Sequence, residues 1–278
     1  MTDAEVGPAG DSPDEPVFAT EVFSAIQGEG ALVGTRQVFV RLAGCNIRCS
    51  YCDQPEALER RPGPCRVERT PGHRDWRDLT SPLPVAELVA LADGLGRQLP
   101  HHSVSLTGGE PLFQGRACAG VAAGLSTRGW AVMLETNGTL PTALARMTDA
   151  LTYVSMDLKL PSVDGERVAP ERQREFLDVA LAAGLETWVK VVVGPATDEG
   201  ELDGAVRMVA EAAAAAPVRP GTANGARGPE IFLQPVTPFG AVQKAPSPEL
   251  VLELQGRALS HYPRVRVVPQ THKAIGQL

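Results

Sequence analysis

Cys45, Cys49 and Cys52 stand at C-x3-C-x2-C spacing in the run Gly44-Cys45-Asn46-Ile47-Arg48-Cys49-Ser50-Tyr51-Cys52-Asp53. Thiolates spaced this way on one short loop can reach three corners of a cubane iron–sulfur cluster and leave the fourth iron without a protein ligand. An open iron is what a chelating substrate requires. A structural zinc would want four ligands, and Cys65 or His73 would have to complete the set. A redox-sensing thiol group is the remaining reading of the spacing alone. The five cysteines are an odd number, which argues against a disulfide framework. Of the other two, Cys65 falls in a loop-like stretch and Cys118 in a helical one, where it reads as a small buried apolar residue.

Thr107-Gly108-Gly109-Glu110-Pro111 follows the strand-like run HSVSL. Paired glycines let backbone carbonyls approach a ligand closely, and Glu110 adds local negative charge. Alone, the same residues serve equally as a tight strand-to-helix turn. Downstream of the cysteine loop, they resemble the radical S-adenosylmethionine (SAM) superfamily, in which a GGEP segment binds the amino group of the cofactor's methionine. Before the loop stand Glu21-Val22-Phe23-Ser24-Ala25-Ile26-Gln27-Gly28-Glu29-Gly30 and Val38-Phe39-Val40-Arg41-Leu42. After it come Glu135-Thr136-Asn137-Gly138-Thr139, Val154-Ser155-Met156-Asp157-Leu158-Lys159, Gln234-Pro235 and Pro269-Gln270-Thr271-His272-Lys273. In this order, from Glu21 to Lys273, the chain resembles the 7-carboxy-7-deazaguanine synthase family. QGEG and QTHK are the discriminating pieces.

That resemblance implies a carbon–nitrogen lyase converting 6-carboxy-5,6,7,8-tetrahydropterin to 7-carboxy-7-deazaguanine with loss of ammonia, a step toward queuosine and other 7-deazapurines. It implies a [4Fe–4S] cluster on Cys45, Cys49 and Cys52, with SAM on its open iron. The substrate would be held by Ile26, Gln27, Gly28, Arg41 and Thr107. Chemically, Arg41 can pair with a carboxylate through two parallel hydrogen bonds, and Gln27 can bond a pterin amide edge. SAM would be held by Tyr51, Cys52, Asp53, Gly109, Ser155, Met156, Asp157, Gln234, Pro235, Val236 and Thr237, with Glu135 a candidate for ribose hydrogen bonding. His272 is the candidate for proton transfer or substrate binding. Two positions depart from the family pattern. Lys159 lies in Ser-Met-Asp-Leu-Lys where Ser-Pro-Lys is common. Gln54 stands where a Thr or Ser hydroxyl coordinates Mg²⁺ in many members; a Gln carbonyl can ligate Mg²⁺ with a longer reach. A flavodoxin or ferredoxin as electron donor and a homodimer are also implied. The competing enzyme reading is an activating enzyme for a glycyl radical on a partner protein, which shares the cysteine spacing. The competing reading of another class is a non-catalytic iron–sulfur or zinc sensor, in which GGEP would have no use.

The elements that must position these residues alternate. Apolar runs predict strands at Val38–Leu42, Ser103–Leu106, Ala131–Glu135, Thr152–Met156, Thr187–Val193, Ile231–Leu233 and Val265–Val268. Helices are predicted at Val85–Leu95, Arg116–Arg128, Glu171–Ala183, Glu199–Ala216 and Pro248–His261. Such alternation implies parallel βαβ units in an α/β fold, closed as a barrel or left as an open sheet. The resemblance implies a modified, partial (β/α)6 barrel. Residues 1–16 are expected to form a disordered acidic tail and 17–278 the radical SAM domain. Glu56–Pro84, rich in Arg, Pro and Gly, predicts an inserted loop with little regular structure, and Pro217–Pro229 a surface loop.

The balance of 26 basic against 33 acidic residues, a net charge of −7, argues against a nucleic-acid backbone as the main partner. Apolar runs break well before membrane-spanning length, and the acidic N-terminus lacks the basic start and apolar stretch of a secretory signal. A cytoplasmic protein with a small-molecule substrate is the expectation.

Overall fold

The computed structural model describes residues 16–165, 168–217 and 228–277. The expected N-terminal tail lies outside them except for Pro16, which is already paired with Pro84. The loop expected at Pro217–Pro229 lies outside them over residues 218–227.

The strands, in chain order, are β1 (Pro16–Val17), β2 (Ala19–Ile26), β3 (Arg36–Leu42), β4 (Gly63–Glu68), β5 (Trp76–Ser81), β6 (Leu83–Pro84), β7 (Ser103–Gly108), β8 (Val132–Thr136), β9 (Tyr153–Leu158), β10 (Glu186–Val193), β11 (Glu230–Pro235) and β12 (Val265–Val267). The helices are α1 (Val85–Gly96), α2 (Gly115–Ser126), α3 (Pro141–Ala145), α4 (Pro161–Asp164), α5 (Pro170–Ala183), α6 (Glu199–Ala215), α7 (Pro248–His261) and α8 (Thr271–Ala274). One sheet runs β12-β11-β10-β9-β8-β7-β3-β2-β4-β5, and it does not close. From β3 to β12 every neighbouring pair is parallel, so the expected partial barrel is an open sheet whose crossovers carry helices.

Strand alternation divides labour between the faces. Val38, Val40, Leu106, Leu134, Val154, Val189, Val191 and Leu233 turn toward the helices and join one buried core. On the opposite face, Met133, Trp188 and Phe232 form a separate buried plug, packed by Leu32, Tyr153 and Val268. Two residues further along the same strands stand Glu135, Lys190 and Gln234, which line a cleft. Helix ends are fixed locally. Asp198 accepts from the Glu201 amide at 2.9 Å to start α6, and Ser247 caps α7 through the Leu250 amide. Both are ordinary side-chain N-caps.

Glu56–Pro84 is not the irregular loop its composition implied. β4 and β5 form an antiparallel hairpin, and β4 pairs in parallel with β2. An edge hairpin needs only one apolar face: Cys65 and Val67 point into the core, while Arg66 lies 4.9 Å over the ring of Trp76 on the other side. Cys65 is therefore a buried strand residue and not a loop residue. Among the described residues, no helix is long and apolar enough to cross a membrane.

Candidate functional site

The cleft opens at the C-terminal ends of the parallel strands, where open α/β sheets bind ligands. Its cysteine wall is anchored on both sides. The Cys45 amide donates to Leu58 O at 3.0 Å. Asn46 donates to Thr139 Oγ1 at 2.8 Å and accepts from Asn137 Nδ2 at 2.9 Å. The Ser50 hydroxyl donates to Val163 O at 2.7 Å. Cys45, Cys49 and Cys52 are half-buried and all line the cleft. Burial pushes the Cys49 thiol up to about 12 and raises that of Cys45, so both stay neutral until a metal draws off the proton.

The Gly-Gly turn brings backbone against backbone. A Cβ on Gly109 would overlap Gly44 O and stand 2.6 Å from Ala57 O, so β7 closes directly on the cysteine loop. Glu110, expected to lend charge to a ligand, does something else. It is fully buried and accepts from Leu112 N at 3.0 Å, Asn137 N at 2.7 Å and Thr136 Oγ1 at 2.9 Å. It therefore clamps the turn to the end of β8. Burial pushes its pKa up to about 7, against the pull of those hydrogen bonds.

Ile26, Gln27, Gly28, Arg41 and Thr107 face one side of the cleft. Arg41 donates through Nε to Glu21 at 2.7 Å and lies 5.4 Å over the Phe23 ring; Glu21 also pairs with Arg66 on the hairpin. Gln27 differs from expectation in its bonding. Its amide nitrogen donates to Gln37 and Glu135, both at 2.9 Å, and its oxygen accepts from the Glu29 amide at 3.0 Å. With both kinds of amide group engaged inside, Gln27 sets the position of Glu135, which also accepts from Ser105 at 2.8 Å and Thr107 at 3.2 Å.

The chain's far end completes this wall. The Thr271 amide donates to Gly28 O at 3.0 Å, and Gln270 Nε2 donates to Glu29 at 2.8 Å. His272 packs so closely that a Cβ on Gly28 would overlap its ring. Burial lowers the pKa of His272, keeping the imidazole neutral. Gly28→Ala is thus expected to displace α8 and weaken ligand binding at this wall by on the order of ten-fold, while a small-to-large change costs roughly 1–3 kcal/mol of stability. Ligand titration beside thermal melting tests this.

On the other side, Tyr51, Cys52, Asp53, Gln54, Gly109, Ser155, Asp157, Gln234, Val236 and Thr237 line the cleft. Met156 does not: β9 turns it away from Ser155 and Asp157 into the core, where it packs under Gly138. Pro235 likewise does not line the cleft, whereas its strand neighbour Gln234 does. Lys159 reaches the cleft, 2.7 Å from Asp157 Oδ2 and 3.1 Å from the Tyr51 hydroxyl. Lys273 holds Asp53 at 2.9 Å; although burial opposes ionisation, this partner keeps the Asp53 carboxyl below its ordinary range. Glu29 and Lys190 were not singled out from the sequence; they pair at 2.6 Å. A lone Lys in WVKVVV carries no motif signal, and only the register opposite Asp157 places it here.

The residues fit a cluster with an organic ligand beside it. Cys65, the candidate fourth zinc ligand, is buried on β4 away from the cleft, and His73 is exposed in the β4–β5 turn. Among the described residues, no three His, Cys, Asp or Glu side chains converge to hold one metal ion; cubane thiolates each bind their own iron and stand further apart. Asp157 Oδ1 and Gln234 Oε1 are buried acceptors without a protein partner. Both belong to residues lining the cleft, which suits a ligand rich in donors.

The chain thus sets a three-thiol loop over the C-terminal ends of the parallel strands of an open α/β sheet, an arrangement suited to holding a cluster. Residues 40–209 match the model of the radical SAM superfamily. The chain is 37% identical to the 7-carboxy-7-deazaguanine synthase of Geobacter sulfurreducens, over 93% of this chain and 96% of that protein. It is 32% identical to the synthase of Methanothermobacter thermautotrophicus, over 92% and 96% respectively. A crystal structure of QueE from Escherichia coli superposes with a TM-score of 0.56 at 20% identity, covering 92% of this chain and 94% of that one, a likeness of fold. The chain belongs to the radical SAM superfamily and, within it, to the 7-carboxy-7-deazaguanine synthase family.

Proposed function

We propose that this chain converts 6-carboxy-5,6,7,8-tetrahydropterin to 7-carboxy-7-deazaguanine, releasing ammonia. The observation that carries this reading is the meeting of QGEG and QTHK. Thr271 and Gly28, 243 residues apart, join at one wall, and that wall shares its cleft with the three thiols.

Arg41 binds the substrate carboxylate. Its Nε is held by Glu21, which orients the rest of the planar guanidinium for a bidentate pair. Ile26, Gly28 and Thr107 form the surface on which the pterin rests, and Gln27 contributes by fixing Glu135. His272, whose burial favours the neutral imidazole, is a group on this wall able to accept a proton. Gly109 gives backbone access to the SAM methionine group. The unpartnered oxygens of Asp157 and Gln234 take hydrogen bonds from the nucleoside, with Tyr51, Asp53, Ser155, Val236 and Thr237 around it. Cys45, Cys49 and Cys52 hold the cluster, which when bound supplies the electron that starts radical chemistry on SAM. The chain's own contribution is orientation and exclusion of water. Gln54 is the residue that would bring Mg²⁺ to the substrate carboxylate. The reading includes a flavodoxin or ferredoxin as donor, a homodimer and a cytoplasmic setting.

Anaerobic reconstitution tests it. The expected result is an oxygen-sensitive brown protein that forms 5′-deoxyadenosine and 7-carboxy-7-deazaguanine only when the carboxypterin is present. Colourless protein with stoichiometric zinc, or SAM cleavage indifferent to the pterin, refutes it. Equal rates in chelator and in added Mg²⁺ would remove Gln54 from the metal site.

A further inference from the structure

Lys190 interrupts an otherwise apolar strand, Trp188-Val189-Lys190-Val191-Val192-Val193. Its side chain is 14% exposed. A charge so placed is unfavourable unless opposite charges hold it. Lys190 Nζ is 2.6 Å from Glu29 Oε2 and 3.4 Å from Asp157 Oδ2. These carboxylates belong to different halves of the cleft. Glu29 lies in the turn that carries Gly28, and its other oxygen accepts from Gln270 in the segment that carries His272. Asp157 projects from β9, takes Lys159 at 2.7 Å on Oδ2, and keeps Oδ1 without a protein partner. Two cations on one oxygen turn the other oxygen outward as an acceptor.

We propose that Lys190 is a positioning residue coupling the two halves of the cleft, the shared counter-ion of Glu29 on the pterin side and of Asp157 on the SAM side. The assignment of the two sides rests on the function proposed above. Without the ammonium, Glu29 loses its charged partner and is left with Gln270, and the Asp157 carboxylate is left with Lys159. Lys159 follows directly on β9 and pairs with Asp157, Asp164 and the Tyr51 hydroxyl, so it does not serve as the link to Glu29.

The test is binding to the reconstituted, anaerobic enzyme by equilibrium dialysis, with SAM and 6-carboxytetrahydropterin as separate probes and thermal melting alongside. Lys190→Met is expected to weaken both ligands by on the order of ten-fold. Lys190→Arg, which keeps the charge, is expected to recover most of both losses. Glu29→Gln, which removes one carboxylate and leaves Lys190 on Asp157, is expected to weaken the pterin and spare SAM. The inference is overturned if Lys190→Met binds both ligands within about two-fold of the parent, or if Lys190→Arg recovers neither. Should Lys190→Met not fold, Glu29→Gln decides alone: pterin binding within about two-fold of the parent overturns the inference. A parent enzyme that binds SAM but not the carboxypterin refutes the proposed substrate instead, an outcome visible before any variant is made.

Discussion

Cys49→Ser is expected to give colourless or weakly coloured protein after reconstitution and to lower 5′-deoxyadenosine formation by at least about 10⁴-fold, the scale on which chemistry is lost when its initiator is absent. The cause is ligand number. The loop supplies three thiols to the cleft, those of Cys45, Cys49 and Cys52, and a serine hydroxyl replaces a thiolate poorly on iron. The control is internal to the chain. Cys65 and Cys118 are fully buried outside the cleft, and burial pushes the Cys65 thiol up to about 12. Cys65→Ser is therefore expected to retain the brown chromophore and the rate of the parent, with a lower melting temperature. Iron content, absorbance and product formation, measured on both variants, check the pair. A brown Cys49→Ser enzyme with parental turnover would overturn the assignment.

Glu110→Ala is expected to cost roughly 3–9 kcal/mol, since three buried donors lose their acceptor at about 1–3 kcal/mol each. That is a large share of the ~5–15 kcal/mol holding a typical domain together. The cost depends on pH with a definite sign. Glu110 has a folded-state pKa of about 7 against a reference of 4.5. The folded chain therefore keeps a proton that the unfolded chain has lost between those values. Stability from this group is full below pH 4.5 and falls as pH rises through 7, by up to about 3 kcal/mol at about 1.4 kcal/mol per pH unit. The alanine variant lacks this slope. The gap in stability between parent and variant should thus be widest near pH 5 and narrower at pH 8. Denaturant melts at the two pH values measure it, and a gap that widens toward pH 8 would show that Glu110 is not held protonated by the fold.

The parallel part of the fold was legible because each inner strand carries an unbroken apolar face. Val189, Val191 and Val193 on β10 announce a buried strand whatever stands between them. The β4–β5 hairpin was not legible, because an edge pair buries one side only and its Pro64, Arg66, Arg77 and Asp78 look like loop residues. The site divides the same way. Cysteine spacing and Gly-Gly report constraints within a few consecutive residues, so the sequence displays them. Alternation explains why Met156 and Pro235, adjacent to cleft residues in sequence, point elsewhere. Glu110 looked like a ligand group because its motif lies at the cleft; only the positions of Leu112, Thr136 and Asn137 show that both its oxygens are already engaged. Lys190 acquires meaning from strand register, which a single chain does not spell out.

The joining of Glu29 to Gln270 across 241 residues also has a temporal side. Synthesis on the ribosome delivers the cysteine loop well before α8, so the nascent chain passes through a stage in which the thiols are made and the wall opposite them is not. Contacts this distant in sequence form slowly, because a long loop must close before they stabilise anything. Until then the thiols of Cys45, Cys49 and Cys52 lack the wall that faces them in the folded chain. Closure of the cleft is therefore a later event than synthesis of the thiols it shelters.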